Sequence, residues 1–270
     1  MRSLSRAISI IRAFSPKQLE LSGNEIVAKI AVPKSTVYRI LDRLTTSGLL
    51  EHNPQTGKYS IGSELYVKGS LYLSSTDILK AAEPVMKSLN DLTNEAVNLG
   101  ILDNGNLVFT MKEESKFDFR WSKHIGTSLP AYCSSMGKAL LSELTGAEID
   151  ELYPEEKLLT VTPKTIATKT ELKRELEQIK KAGIALDREG GSEGVEGIAA
   201  VLRDISGEAV ASMSIAVPTF RLDQDLRTRL SRLVLLGTNL ISYQLGYRDT
   251  AEPVRNIAEI SSWWEQSQTE

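Results

Sequence analysis

The chain has 270 residues, 41% hydrophobic and 25% charged, the balance of a soluble globular protein long enough for two domains. No apolar run approaches the roughly 18 residues that crossing a bilayer needs. The first residues, Met1-Arg2-Ser3-Leu4-Ser5-Arg6, lead into a charged amphipathic segment instead of an apolar export signal, so a cytoplasmic location is expected and no membrane partner.

One cysteine, Cys133, excludes an intramolecular disulfide, and with only His52 and His124 a Cys/His metal cage cannot be assembled. No cofactor is expected. The net charge of −3 is unevenly spread: residues 1–60 hold nine basic and four acidic side chains, a balance of +5 that leaves −8 on the other 210. A small basic end on an acidic body is the layout of a module that visits a polyanion.

In that basic end Leu4, Ala7, Ile8, Ile11 and Phe14 recur at helical spacing until Ser15-Pro16. A second short helix follows Leu21-Ser22-Gly23, capped by Ser22 or Asn24, with Ile26, Val27 and Ile30 inward. After a tight turn at Ala31-Val32, Pro33 suits a first helical position, where its missing N–H costs nothing. The third helix, Pro33 to Ser47, buries Val37, Ile40, Leu41 and Leu44 and stops at Gly48. Two short strands, Leu49 to Asn53 and Lys58 to Ile61, flank Pro54-Gln55-Thr56-Gly57 and read as a hairpin wing. Residues 1–62 are therefore expected to be a winged helix-turn-helix.

The outer face of the third helix carries Lys34, Ser35, Thr36, Tyr38 and Arg39 in its first two turns. In helix-turn-helix proteins this part of the second motif helix enters the major groove. Arg39 suits a bidentate contact to guanine, Ser35 and Thr36 suit phosphates, and Arg43, a turn later, suits the backbone. Gln55, Thr56 and Lys58 at the wing tip complete the expected interface with double-stranded DNA.

Ser63 to Ser75 reads as an apolar linker helix, with a second copy of the chain as its simplest packing partner. A helix from Thr76-Asp77 presents Leu79, Ala82, Val85, Met86, Leu89 and Leu92 as a stripe. Val97 to Leu102 and Leu107 to Lys112 flank Asp103-Asn104-Gly105-Asn106, the clearest hairpin signal in the chain. A strand is expected over Phe117 to Lys123, then a loop and helix over Pro130 to Leu144, and a helix over Leu172 to Ala182. Strands at Ala185–Asp187, Ile198–Arg203 and Val210–Val217 and a long helix from Asp223 to Tyr247 give an α+β domain with an antiparallel sheet over 77–248. Residues 249–270, with Trp263-Trp264, form a tail helix that docks or stays partly mobile.

Catalytic signals are thin. Met136-Gly137-Lys138 lacks the leading glycine and the metal-binding hydroxyl of a phosphate loop, having Tyr132 and Ala139 in those places. Cys133 or Ser135 as a nucleophile would need a base, and His124 alone is nearby in sequence. The stretch Gly190 to Gly197 does not open a helix after a strand, and reads as a flexible pocket wall. What remains is a binding site: Ser134 and Ser135, at a helix start, either hold the polar head of a carboxylate or merely cap the helix. An enzyme using Cys133 or Ser135, or a sensor acting by protein contact alone, stands as the alternative.

Taken together the segments resemble the IclR family of bacterial transcription regulators from about Leu4 to Gly246. Leu4 to Ile11 resembles its first helix, and Pro33 to Leu41 its recognition helix. Gly126-Thr127-Ser128-Leu129-Pro130, Met136 to Leu141, Gly183, Asp187, Glu189, Gly194-Val195, Ile198 to Ala200, Ser214 to Pro218 and Arg221 complete the pattern. The resemblance implies a winged-helix domain (1–62), a linker helix (63–76), a GAF-like effector-binding domain and assembly as homodimers or homotetramers. It also implies an effector pocket lined by Asp118, Trp121, Leu129, Ser135, Met136, Asp187, Val195, Gly197 and Ser214, holding a small carboxylate or small aromatic compound. The chain departs from the family at Tyr132, where histidine is common, at Gly197, where cysteine is common, and at Val201, where proline is common. Tyr132 and Gly197 are expected to border the pocket, with Trp121 and Tyr132 available to stack on an aromatic effector.

Overall fold

The computed structural model describes residues 2–15, 18–30, 32–68, 77–118, 123–249 and 253–268. The chain divides into two compact units, Met1–Thr76 and Asp77–Glu270.

In the first unit α1 (Arg2–Arg12), α2 (Gly23–Ile30) and α3 (Lys34–Thr46) pack around Ile10, Leu21, Ile26, Val37, Ile40, Leu41, Leu44 and Leu50. The α1 stripe differs from expectation. Ile10 is fully buried with Ala7, Ile11 and Phe14 packed beside it, whereas Leu4 and Ile8 stay exposed. Isoleucines at 8, 10 and 11 make an apolar arc wider than the one face so small a domain covers, and the 7-10/11-14 spacing wins. Ser22 is the cap of α2: its hydroxyl accepts from the Glu25 amide at 3.3 Å while Glu25 Oε2 accepts from the Ser22 amide at 2.7 Å, a capping box. Pro33 stands just outside α3 and its carbonyl accepts from Thr36 and Val37; Gly48, at φ +72°, follows the helix.

The wing strands β2 (Leu50–Asn53) and β3 (Lys58–Ile61) are joined by a third, β1 (Glu20–Ser22), which pairs antiparallel with β3. Three residues are too few for period-two alternation to reveal β1 in the sequence. Residues 63–68 are helical; the rest of the expected linker helix lies outside the described residues.

The second unit is a three-layer sandwich about a six-stranded antiparallel sheet. Its strands, β4 (Ala96–Asp103), β5 (Asn106–Glu113), β6 (Ser128–Pro130), β7 (Ala185–Arg188), β8 (Val195–Arg203) and β9 (Ala209–Pro218), run in the order β6-β5-β4-β9-β8-β7. Alternation along β8 sends Ile198, Ala200 and Leu202 to one face and Ala199 to the other. The first face is covered by α4 (Asp77–Thr93), α8 (Gln224–Gln244) and α9 (Ile257–Gln266); the second by α5 (Ser135–Leu141), α6 (Gly146–Leu152) and α7 (Lys169–Ala182).

Phe117, Asp118 and Lys123 are irregular, not strand, and residues 119–122 of that expected strand lie outside the described ones. The strand pairing with β5 is instead β6, opposite Asn106–Val108. α6, unforeseen, opens with a Thr145–Glu148 capping box. The tail is docked: Val254, Ile260 and Trp264 are buried in the α4/α8 core, and the Arg229 guanidinium lies 5.5 Å from the Trp264 ring centre.

Candidate functional site

On α3 the inward positions are spent on the core, so the intervening side chains are presented outward. Lys34, Ser35, Tyr38, Arg39 and Arg43 are exposed and Thr36 half-buried. Tyr38 is partly committed to packing: its ring lies over Gly23, where a Cβ would meet the phenol at 2.6 Å, and Lys34 Nζ sits 5.7 Å from its centre. Arg39 and Arg43 border a groove between α3 and α1, and neither has an ion-pair partner among the described residues. At the wing, Asn53 Oδ1 accepts from the amides of Gln55 and Thr56 at 2.9 and 3.3 Å, which holds those two exposed side chains at the tip. Lys58, also exposed, has Glu20 at 3.9 Å. Helix α3 and the wing thus combine four unopposed or loosely opposed cations, Lys34, Arg39, Arg43 and Lys58, with hydroxyls and an amide, the equipment for phosphate and base contacts.

The second unit holds a small cavity of about 40 Å³ between the sheet and the start of α5. Leu129, Ser135, Met136, Asp187, Val195, Gly197 and Ser214 line it, together with Asn98, Phe109, Cys133, Ser134, Gly191, Ser192 and Ala216. Asp118 is exposed and is not part of the lining, and Trp121 lies outside the described residues. Tyr132 does not border the cavity, contrary to expectation: its hydroxyl donates to the Leu159 carbonyl at 3.0 Å and its ring meets Tyr153 edge-on at 5.2 Å. A ring fixed in that cluster cannot stack on a ligand in the cavity. The aromatic wall is Phe109.

The two serines at the start of α5 divide the work. Ser134 is the cap, its hydroxyl accepting from the Gly137 amide at 3.0 Å. The Ser135 hydroxyl has no hydrogen-bond partner among the described residues, nor has that of Ser214, although both residues are 4% exposed. Both face the cavity and are free to serve a ligand. Asn98 is 1% exposed and its Oδ1 is buried without a partner.

Gly197 is where the wall comes closest: a Cβ there would stand 2.5 Å from Ser135 Oγ. Any side chain at this position would compete for the space that the Ser135 hydroxyl takes here. Asp187 accepts from the amides of Gly190 and Gly191 at 3.0 and 3.1 Å. Burial pushes its carboxyl above the usual range, against the pull of Lys138 and those two amides. The glycine-rich loop is a fixed wall, not a flexible one. Besides Asp187, the Thr165 hydroxyl donates to the Gly190 carbonyl and the Thr162 hydroxyl to that of Glu189, both at 2.7 Å, and Lys164 pairs with Glu189.

Cys133 is fully buried and its thiol is pushed up to about 12, mainly by desolvation. His124 is exposed. Cys133 is therefore not poised as a thiolate, and His124 is not part of the cavity lining. Asn98 and Phe109 were missed in the sequence because each sits in a segment read only as strand, whereas Ser192 lies in the stretch read as a pocket wall.

Two family patterns match: the IclR helix-turn-helix domain over residues 3–54 and the bacterial transcriptional regulator IclR C-terminal domain over residues 70–243. The transcriptional regulator XynR of Escherichia coli is 31% identical over 248 residues, 92% of this chain and 98% of XynR. The transcriptional repressor AllR of Salmonella typhimurium is 31% identical over 247 residues, 92% and 91% of the two chains. An IclR homologue of Microbacterium hydrocarbonoxydans, solved with 4-hydroxybenzoate, shares the fold at a TM-score of 0.77 and 22% identity, over 90% of this chain and 99% of that one. With its helix-turn-helix, its antiparallel effector sheet and these matches along most of its length, the chain belongs to the IclR family of DNA-binding bacterial transcriptional regulators.

Proposed function

We propose that a pair of these chains grips an operator with two copies of α3 and the wing. A small organic carboxylate held in the cavity beside α5 then shifts the population between DNA-competent and incompetent states. Arg39 reads a base edge; Lys34, Ser35, Thr36, Tyr38, Arg43, Gln55, Thr56 and Lys58 hold phosphates and fix register. In the cavity Ser135 and Ser214 serve the polar head, with Leu129, Met136, Val195 and Phe109 around the apolar part.

The observation that carries the effector reading is a cavity, open to solvent on one side, lined by the unpartnered hydroxyls of Ser135 and Ser214 and by Asn98, whose amide oxygen is buried without a partner among the described residues. Buried polar groups left without partners cost stability unless a ligand or water meets them. The 4-hydroxybenzoate complex supports a compact carboxylate as the size class. The effector modulates DNA affinity only by as much as it prefers one state, typically about 1 to 3 kcal/mol.

Against the enzyme reading stands Cys133, whose thiol at about 12 stays protonated at neutral pH. The test is footprinting of promoter DNA from the neighbourhood of the gene. A protected pseudo-palindrome, lost in Arg39→Ala and released by a carboxylate in wild type but not in Ser135→Leu, is the expected result. Carboxylate turnover without any footprint would refute it.

A further inference from the structure

β7 is an end strand of the sheet, and its pairing with β8 leaves its other side open. The bond from the Glu189 amide to the Val195 carbonyl, at 3.1 Å, sets the phase of that pairing. Ala185, Asp187 and Glu189 turn their backbone groups toward β8, so those of Leu186 and Arg188 point away from it. No hydrogen bond from a described residue meets them on that side. An open groove of about 540 Å³ runs there between β7 and α7, with Ile184, Leu186 and Arg188 along the strand and Arg174, Gln178 and Ala182 along the helix. A free strand edge beside a groove is the geometry that takes up an extended chain as one more strand.

Charge selects the occupant. Around the groove Glu175 is taken by the buried Lys138, Asp187 by the Gly190 and Gly191 amides, and Lys164 by Glu189. Arg174 and Arg188 are exposed and have no ion-pair partner among the described residues, and Glu171 alone of the acids lining the groove is unengaged there. The groove is thus edged with free cations on a part of the chain that is acidic as a whole. A second copy fits poorly. Self-pairing of β7 about Leu186 would set each Arg188 beside the other copy's Ile184, next to Lys180 and Lys181, and self-pairing about Asp187 would face two carboxyl groups. We infer that this edge binds an extended acidic peptide segment of a protein partner, through backbone bonds to Leu186 and Arg188 and ion pairs with Arg174 and Arg188. Arg188 leaves β7 on the side of Leu186, toward the α4/α8 core, whereas Arg174 comes from a helix on the other face. Neighbouring residues of an added strand also face opposite sides, so two consecutive acids meet both cations.

The test is calorimetric titration of the full-length chain with the blocked peptide acetyl-Val-Val-Glu-Glu-Val-Val-amide. Its Lys-Lys counterpart and a form N-methylated at both glutamates, one of which must turn its amide to β7, are the controls. The acidic peptide binds, the Lys-Lys form does not, and N-methylation weakens binding at least about 10-fold. Replacing Arg174 and Arg188, both exposed, by alanine weakens it by about 3- to 30-fold, the worth of two surface ion pairs, while Arg188→Lys keeps most of the affinity. Amide hydrogen exchange at Leu186 and Arg188 slows in the complex. Failure of the acidic peptide to bind overturns the inference, and leaves the effector cavity untouched. Equal binding of the N-methylated form overturns strand addition and reduces the groove to an anion contact. Protection of the two amides that rises with protein concentration, without peptide, assigns the edge to a second copy and overturns the inference as well.

Discussion

Gly197→Ala puts a methyl group where Ser135 Oγ now lies. The new Cβ would stand 2.5 Å from that oxygen, 3.4 Å from Ser135 Cβ and 3.8 Å from Asp187 Cβ. Only the first distance is forbidden, and rotation of one side-chain torsion relieves it, so the fold should lose no more than about 1 kcal/mol. The hydroxyl, however, is driven from its place. If it bonds a carboxylate effector, binding weakens by the worth of one charge-assisted hydrogen bond, about 1.5 to 3 kcal/mol or roughly 10- to 100-fold. Ser135→Ala deletes the same bond and should cost the same. In the double variant the 3.4 Å methyl–methyl contact is ordinary, so the second change adds little and the cycle shows a coupling close to the whole single-variant loss. The assay is calorimetric titration of the four proteins with one carboxylate that binds wild type. Additive losses, or full affinity in Gly197→Ala, would refute the placement of Ser135 at the ligand.

Cys133 should resist iodoacetamide at pH 8 in the folded protein and react promptly in denaturant, as a thiol near 12 inside a packed core implies; stoichiometric alkylation of the native chain, followed by mass spectrometry, would contradict its burial. Arg221 makes a bidentate pair with Glu95, both distances 2.8 Å, and stacks 4.3 Å from the Phe117 ring centre. Because the Glu95 side chain is 6% exposed, Arg221→Ala strands a buried carboxylate and should cost about 3 to 5 kcal/mol. Thermal melting should then fall by roughly 6 to 20 °C for a unit this size. An unchanged melting temperature would show the pair to be ornamental.

The parts legible in the sequence were those with redundant signals. α3 announced itself through Pro33, the Val37-Ile40-Leu41-Leu44 spacing and Gly48, and its outward side chains followed from that geometry. The hairpin at Asn104-Gly105 and the stripe of α4 were equally plain. β1 and β6, three residues each, carry no period, and α6 rests on a Thr145–Glu148 capping pair that is easily passed over between loops. The cavity shows the deeper difficulty. Asn98 is one polar residue in an apolar strand, and only the register across β4, β9 and β8 brings it to the same hollow as Ser135. Tyr132 failed in the opposite way, being adjacent in sequence to the lining but turned toward Tyr153 and Leu159. Proximity along the chain does not say which side of the 3₁₀ turn Ala131–Cys133 a side chain leaves.

The dependence of operator affinity on salt tests the central claim most directly. Two copies that each spend at least three cations from Lys34, Arg39, Arg43 and Lys58 on phosphates should give a plot of log association constant against log salt with a slope of about −5 or steeper. Saturating effector should lower affinity at every salt concentration, as a shift between states requires. A flat titration, or identical curves for wild type and a variant with Lys34, Arg39 and Arg43 all replaced by alanine, would contradict the account.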